Sequence, residues 1–138
     1  MGFAPLVFSK SSENRINFFS YNYIVIIWNM EKNMDKRDLD IVKKFRKLVS
    51  QKVKVHELRV FGSRARDDAV AESDLDILIV VDHLDYSIEL YISDCAWEAG
   101  FSEDVVVMPV SISIDAMKNS PIRESVFIKK IYHEGVAV

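Results

Sequence analysis

FGSRARDDAVAESDLDILIVV, running from Phe61 to Val81, is the stretch on which the reading of this chain turns. It opens on a small-residue turn, Gly62 and Ser63, carries Arg64 and Arg66, and ends with Asp74 and Asp76 entering an unbroken apolar run from Ile77 to Val81. Alternate residues of a strand share a face, so Asp74 and Asp76 project side by side while Leu75 and Ile77 point the other way. Like charges held that close raise each other's cost of ionisation unless a cation lies between them, and hard divalent ions with oxygen ligands meet that need. The pair reads as a Mg²⁺ grip. Glycine at position 62 lets the backbone approach a ligand, and a helix start after it points free N–H groups at an anion. A phosphate beside a metal is the natural occupant. Each piece alone is ordinary turn chemistry; their coincidence in order and spacing carries the reading.

Outside this stretch the composition sets bounds. A chain of 138 residues, 49% of them hydrophobic, has the length of one domain and enough apolar material for a core. The net charge of −3 gives no global sign of a protein that coats nucleic acid. A local basic run, Lys43, Lys44, Arg46, Lys47, Lys52 and Lys54, reads first as a solvated helix face. The single cysteine, Cys95, excludes an intrachain disulfide and a cysteine-based zinc cage, fits a reducing cytoplasm, and is expected to pack. His56, His83 and His133 lack the spacing of metal ligands. With glycines only at 2, 62, 100 and 135, neither a Walker loop nor a dinucleotide fingerprint can be written, and Ser63 lacks the elbow of a hydrolase nucleophile.

Residues 1–33 read differently from the rest. Phe18, Phe19, Tyr21, Tyr23, Ile24, Val25, Ile26, Ile27 and Trp28 form an aromatic, apolar block too short for a membrane span of ~20 residues. It also lacks the cleavage site of a signal peptide. An added strand, a dimer contact and an extension of uncertain role remain open, the last two favoured, and the domain proper is set at 34–138. Asp35 is placed as the N-cap of a first helix on which Leu39, Val42, Phe45 and Val49 share a face, ending near Ser50. A strand follows from Val53 to Phe61, then a short helical segment from Arg64 to Asp68, then the strand Asp74 to Val81, whose apolar run marks a central position. Asp82 or Asp85 caps a second helix with Ile88, Ile92, Cys95 or Ala96, and Ala99 inward, Trp97 in the core and Gly100 as its stop. A third strand is expected from Asp104 to Val110, with Pro109 marking it as an edge. Then come a weak helical turn near 115–119 and a last helix that starts on Ser120 and Pro121 and stops at Gly135. The fold class is α/β (α+β): a small mixed sheet with helices packed on it.

The run Gly62, Ser63, Arg64, Ala65, Arg66, followed by Ser73, Asp74, Leu75, Asp76 and Ile77, resembles the signature of the DNA polymerase β-type nucleotidyltransferases, and most closely the minimal nucleotidyltransferase (MNT) proteins that often pair with HEPN-domain partners in toxin–antitoxin modules. The resemblance implies a polymerase β-like fold and transfer of a nucleoside monophosphate from an NTP, with ATP the expected donor and two Mg²⁺ ions as cofactors. It implies Asp74 and Asp76 as metal-holding catalytic carboxylates, with Asp104 as the third. Glu103 is the rival for that third place, since strand parity lets only one of two neighbours aim at the site. Gly62 and Ser63 would hold the terminal phosphates. Arg64 and Arg66 would neutralise triphosphate charge, or else serve as ion-pair partners of Asp67, Asp68 or Glu72. The expected acceptor is a hydroxyl on a HEPN-type protein partner, a homo-oligomer being the other expected assembly; membranes and nucleic acid are not expected partners. One departure stands out: Asp67 occupies the place where the family commonly has glycine, which adds negative charge near the phosphates. The alternative is therefore a catalytically degenerate antitoxin or adaptor that acts by binding only.

Overall fold

The computed structural model describes residues 34–66, 69–70 and 72–138; the expectation for 1–33 lies outside the described residues. Helix α1, Lys36–Val49, starts where Asp35 accepts a 2.7 Å hydrogen bond from the Arg37 N–H, satisfying one of the donors a helix start leaves open. Strand β1 covers Val55–Phe61 and β2 covers Leu75–Val81. Helix α2, Tyr86–Phe101, is capped by Asp85, the second of the two candidates. Strand β3 spans Val107–Ser113, followed by the short helix α3, Ile114–Asn119. Ser120 and Pro121 begin a 3-10 turn, Pro121–Glu124, rather than the last helix. That helix, α4, covers Val126–Glu134 with Ser125 as its own cap, and a two-residue strand β4, Val136–Ala137, closes the chain after Gly135.

The sheet order is β3-β2-β1-β4, with β2 and β3 parallel and the other pairs antiparallel. It is the mixed sheet expected, with β2 central and, among the described residues, β3 at an edge. Parity along β2 sorts the core into two layers. Leu75, Ile77, Ile79 and Val81 face α1 and α2 and pack with Val42, Phe45, Val49, Ile92, Ala96 and Ala99. Leu78 and Val80 face the other way, against Ile112, Met117, Ile128 and Ile131. All six β2 side chains from Leu75 to Val81 other than Asp76 are essentially inaccessible, and burying an aliphatic chain of this size stabilises by about 1.5–3 kcal/mol. Polar ties close the seams. Tyr91 donates to the Leu48 carbonyl at 2.6 Å between α1 and α2. Tyr132 on α4 donates to Glu57 on β1 at 2.7 Å, and burial followed by that acidic partner pushes its pKa up to about 12. The basic run is largely a solvated helix face, with Lys44 and Arg46 also donating to the carbonyls of Glu98 and Val138.

Three expectations change. Residues 63–66 form a turn, with Ala65 and Arg66 both donating to the Gly62 carbonyl at 3.2 Å, where the helical segment from Arg64 was placed; its end at 67–68 lies outside the described residues. Trp97, expected in the core, is 65% exposed and stacks on Phe101 with ring centroids 4.6 Å apart. Gly100 does not stop α2, which runs one residue further; it lies buried where the chain doubles back, and a Cβ there would run into the Val105 carbonyl oxygen. Helix propensity alone favours Gly100→Ala by about 1 kcal/mol. The obstacle is backbone and overpacking costs about 1–3 kcal/mol, so urea unfolding is expected to show a less stable Gly100→Ala protein, not a more stable one.

Candidate active site

The loop joining β1 to β2 carries nearly every residue singled out in the sequence, and the pairing of those strands sets its geometry. Phe61 lies opposite Asp76 in the antiparallel register, so the chain leaves β1 at Gly62 directly against the Asp76 carboxylate. Gly62 has φ +74°, a conformation that glycine adopts without penalty. A Cβ at this position would meet Asp76 Oδ2 and stand 3.3 Å from its carboxyl carbon. Ser63 follows, half-buried, at the start of the turn.

Asp76 is half-buried and Asp74, just before the strand, is exposed. Burial, and then the charge of Asp74, raise the pKa of Asp76 above the usual carboxylate value, while Arg66 acts in the opposite sense. Arg66 also pairs with Glu134 on α4 at 3.3 Å. Between the turn and α4 lies a cleft of about 200 Å³ lined by Phe61, Gly62, Arg66, Phe127, Lys130 and Glu134, among others.

Arg64 takes a different direction. It is buried, and its guanidinium donates to Asp38 Oδ1 at 2.7 Å and, through two nitrogens, to the Ser73 carbonyl at 2.9 and 2.7 Å. It thus has an ion-pair partner on α1, Asp38, that the sequence reading did not name.

Asp104 is not brought to the pair. Strand β3 begins at Val107, and Asp104 occupies an exposed turn with φ 53° after α2. Beside Asp76 in the parallel register stands Met108, and the backbone neighbour of Leu75 is Val106, whose carbonyl accepts the Leu75 N–H at 2.8 Å. Among the described residues no three His, Cys, Asp or Glu side chains gather as a metal-holding group. Glu103 is exposed in the same turn. Asp104 instead lines a cleft of about 510 Å³ with Trp97, Phe101, Val106 and Met108.

The donor set of Asp74 and Asp76 still fits Mg²⁺, which is commonly held by one or two carboxylates with substrate phosphates and waters completing its shell. Sequence reading missed Asp38, Lys130 and Glu134. A signal for Asp38 existed: it lies on the same helical stripe as Ile41, Val42, Phe45 and Val49, where an acid is out of place.

With this geometry in view, the comparisons with known proteins agree. Residues 42–138 match the model of the nucleotidyltransferase domain family. The chain belongs to that family and is a transferase that moves a nucleoside monophosphate. A relative in Methanocaldococcus jannaschii, named as a candidate protein adenylyltransferase, is 34% identical over 98 residues, covering 67% of this chain and 91% of the relative. Among solved structures, a chain from the crystal structure of a toxin–antitoxin with AMP-PNP is similar in fold, with a TM-score of 0.50, 21% sequence identity and 69% of each chain covered. Among the described residues no helix is long and apolar enough to cross a membrane.

The close fit at Gly62 yields a direct test. Gly62→Ala adds a left-handed residue, which costs about 1–2 kcal/mol, and also pushes on Asp76. A lower urea midpoint is expected for Gly62→Ala, with Ser63→Ala close to the parent.

Proposed function

We propose that the chain transfers AMP from Mg²⁺-bound ATP to a hydroxyl side chain of a protein partner, a HEPN-type protein being the partner that the MNT resemblance implies. The observation that carries this reading is the Asp76 carboxylate set against the backbone of the Gly62 turn, with Asp74 near enough for its charge to raise the Asp76 pKa. The relative named as a candidate protein adenylyltransferase supports a protein acceptor. Asp74 and Asp76 would hold the metal, which supplies charge neutralisation and alignment of the reacting oxygens. The Gly62 and Ser63 turn would receive the terminal phosphates. Arg66, exposed at the mouth of the neighbouring cleft, would exchange its Glu134 partner for phosphate oxygens. In the transfer, the acceptor oxygen bonds to the α-phosphorus, the bond from that phosphorus to the α,β-bridging oxygen breaks, pyrophosphate leaves, and the hydroxyl proton is lost to solvent.

Binding without chemistry is the second reading. It is favoured by the separation of Asp104 from the pair, which leaves two carboxylates where the resemblance implies three, and by Asp67 in the family's glycine place.

One experiment separates them: incubation with cell extract, Mg²⁺ and ATP labelled at either the α- or the γ-phosphate. Transfer predicts protease-sensitive label from the α-position only. Label in RNA or a small molecule overturns the protein acceptor, and Mg²⁺-dependent ATP binding with no label at all selects the binding-only reading. Asp76→Asn is expected to remove Mg²⁺-dependent ATP binding in calorimetry while the thermal transition persists. Unchanged affinity in that variant removes the metal role of the pair.

A further inference from the structure

Arg64 and Asp38 form an ion pair whose side chains are 5% and 4% exposed, next to a site whose Asp74 and Arg66 are open to solvent and whose Asp76 is half-buried. Such burial needs a reason. The desolvation of two charges generally cancels their attraction, and apolar residues of the same volume would often serve stability as well or better. A buried pair of this kind is better explained by the geometry it enforces, and here the geometry is local to the carboxylates.

We propose that Arg64 is a positioning residue: held by Asp38, its guanidinium fixes the Ser73 carbonyl and thereby sets where Asp74 and Asp76 stand relative to the Gly62 turn. This rests on reading Asp74 and Asp76 as the metal-holding pair. Two nitrogens of the guanidinium converge on one carbonyl oxygen, a contact that a planar fork makes and a single ammonium does not. Ser73 is further tied by its N–H to the Val70 carbonyl at 3.0 Å and by its hydroxyl to the Val70 N–H at 3.1 Å. On the other side of Asp74, the Leu75 N–H is fixed to the Val106 carbonyl at 2.8 Å. Asp74 thus sits between two anchored residues although its own side chain is exposed. Gly62 and Arg64, two residues apart, hold the pair from both ends: Gly62 against the Asp76 carboxylate, Arg64 on the peptide before Asp74. Groups that orient metal ligands without touching the metal typically change metal affinity by about 10–100-fold when altered.

The test uses Arg64→Lys, which keeps a cation opposite Asp38 and loses the two-nitrogen grip on Ser73. The probe is Mn²⁺ with ATP, followed by the electron paramagnetic resonance of Mn²⁺ and by calorimetry, alongside thermal unfolding without metal. Mn²⁺ affinity is expected to fall about 10–100-fold with the unfolding transition retained, and ATP affinity without metal is expected to be unchanged. Asp38→Asn, similar in shape but uncharged, is expected to weaken Mn²⁺ binding in the same direction. A purely structural pair predicts the reverse pattern, a shifted transition with parental Mn²⁺ affinity in the folded protein, and that result overturns the proposal. Loss of the transition in both variants makes the pair a determinant of the fold and overturns it too. Asp76→Asn, measured in parallel, separates the two levels: Mn²⁺ binding lost there but parental in Arg64→Lys refutes the positioning role alone, whereas parental binding in Asp76→Asn refutes the metal reading on which it rests.

Discussion

Phe61 and Asp76 face each other across β1 and β2, so the backbone leaving β1 passes against the Asp76 carboxylate with no room for a side chain between them. From that contact the rest of the site follows. Residue 62 must be glycine, both for the missing Cβ and for the left-handed φ. The chain then turns tightly, with the Gly62 carbonyl accepting from residues 65 and 66. That turn sends Arg64 inward to Asp38 and leaves Arg66 on the outside, near enough to lower the cost of ionising Asp76. Two arginines separated by one residue therefore take opposite tasks, one within the protein and one at its surface.

The antiparallel β1–β2 pair and the parallel β2–α2–β3 crossover place the carboxylates at the end of the central strand. The β1–β2 loop and the start of β2 carry Gly62, Ser63, Arg64, Arg66, Asp74 and Asp76, while the helices cover the two faces of the sheet and lend Asp38 and Glu134 as partners of the two arginines. The cover is incomplete beside the carboxylates. Val106, whose carbonyl accepts from the Leu75 N–H, and Met108, in register with Asp76, are 59% and 48% exposed, and Trp97 and Phe101 line the same cleft.

Much of this was legible in the residues because local chemistry and burial agreed. Asp35 before an amphipathic run gave the first helix, and the unbroken Ile77–Val81 segment gave the central strand. Pro109 marked the edge strand correctly. The misses share a physical origin in tertiary packing. Helix α2 carries large apolar residues all round, so periodicity could not tell Ile92, which is buried, from Trp97, which is not. Gly100 looks like a helix stop by composition, but it answers to the Val105 carbonyl, a contact visible only once the chain folds back. The destination of Arg64 was equally hidden, because its partner lies 26 positions earlier on another element. The third-carboxylate expectation relied on a strand beginning at Asp104; the left-handed turn there delays the strand to Val107.

The local energetics of the site run against stability. A left-handed backbone at Gly62 restricts the sequence, Asp76 ionises against burial and a like charge, and Arg64 and Asp38 give up their hydration. None of these is a way to make a small domain more stable, since buried charge costs more than apolar packing of the same volume. The two apolar layers on β2 offset them: with Leu75, Ile77, Ile79 and Val81 buried on one face and Leu78 and Val80 on the other, the strand that presents the carboxylates is also the most deeply packed element of the sheet. The core thus holds the charged end of the same strand in a place that the charges alone would not keep.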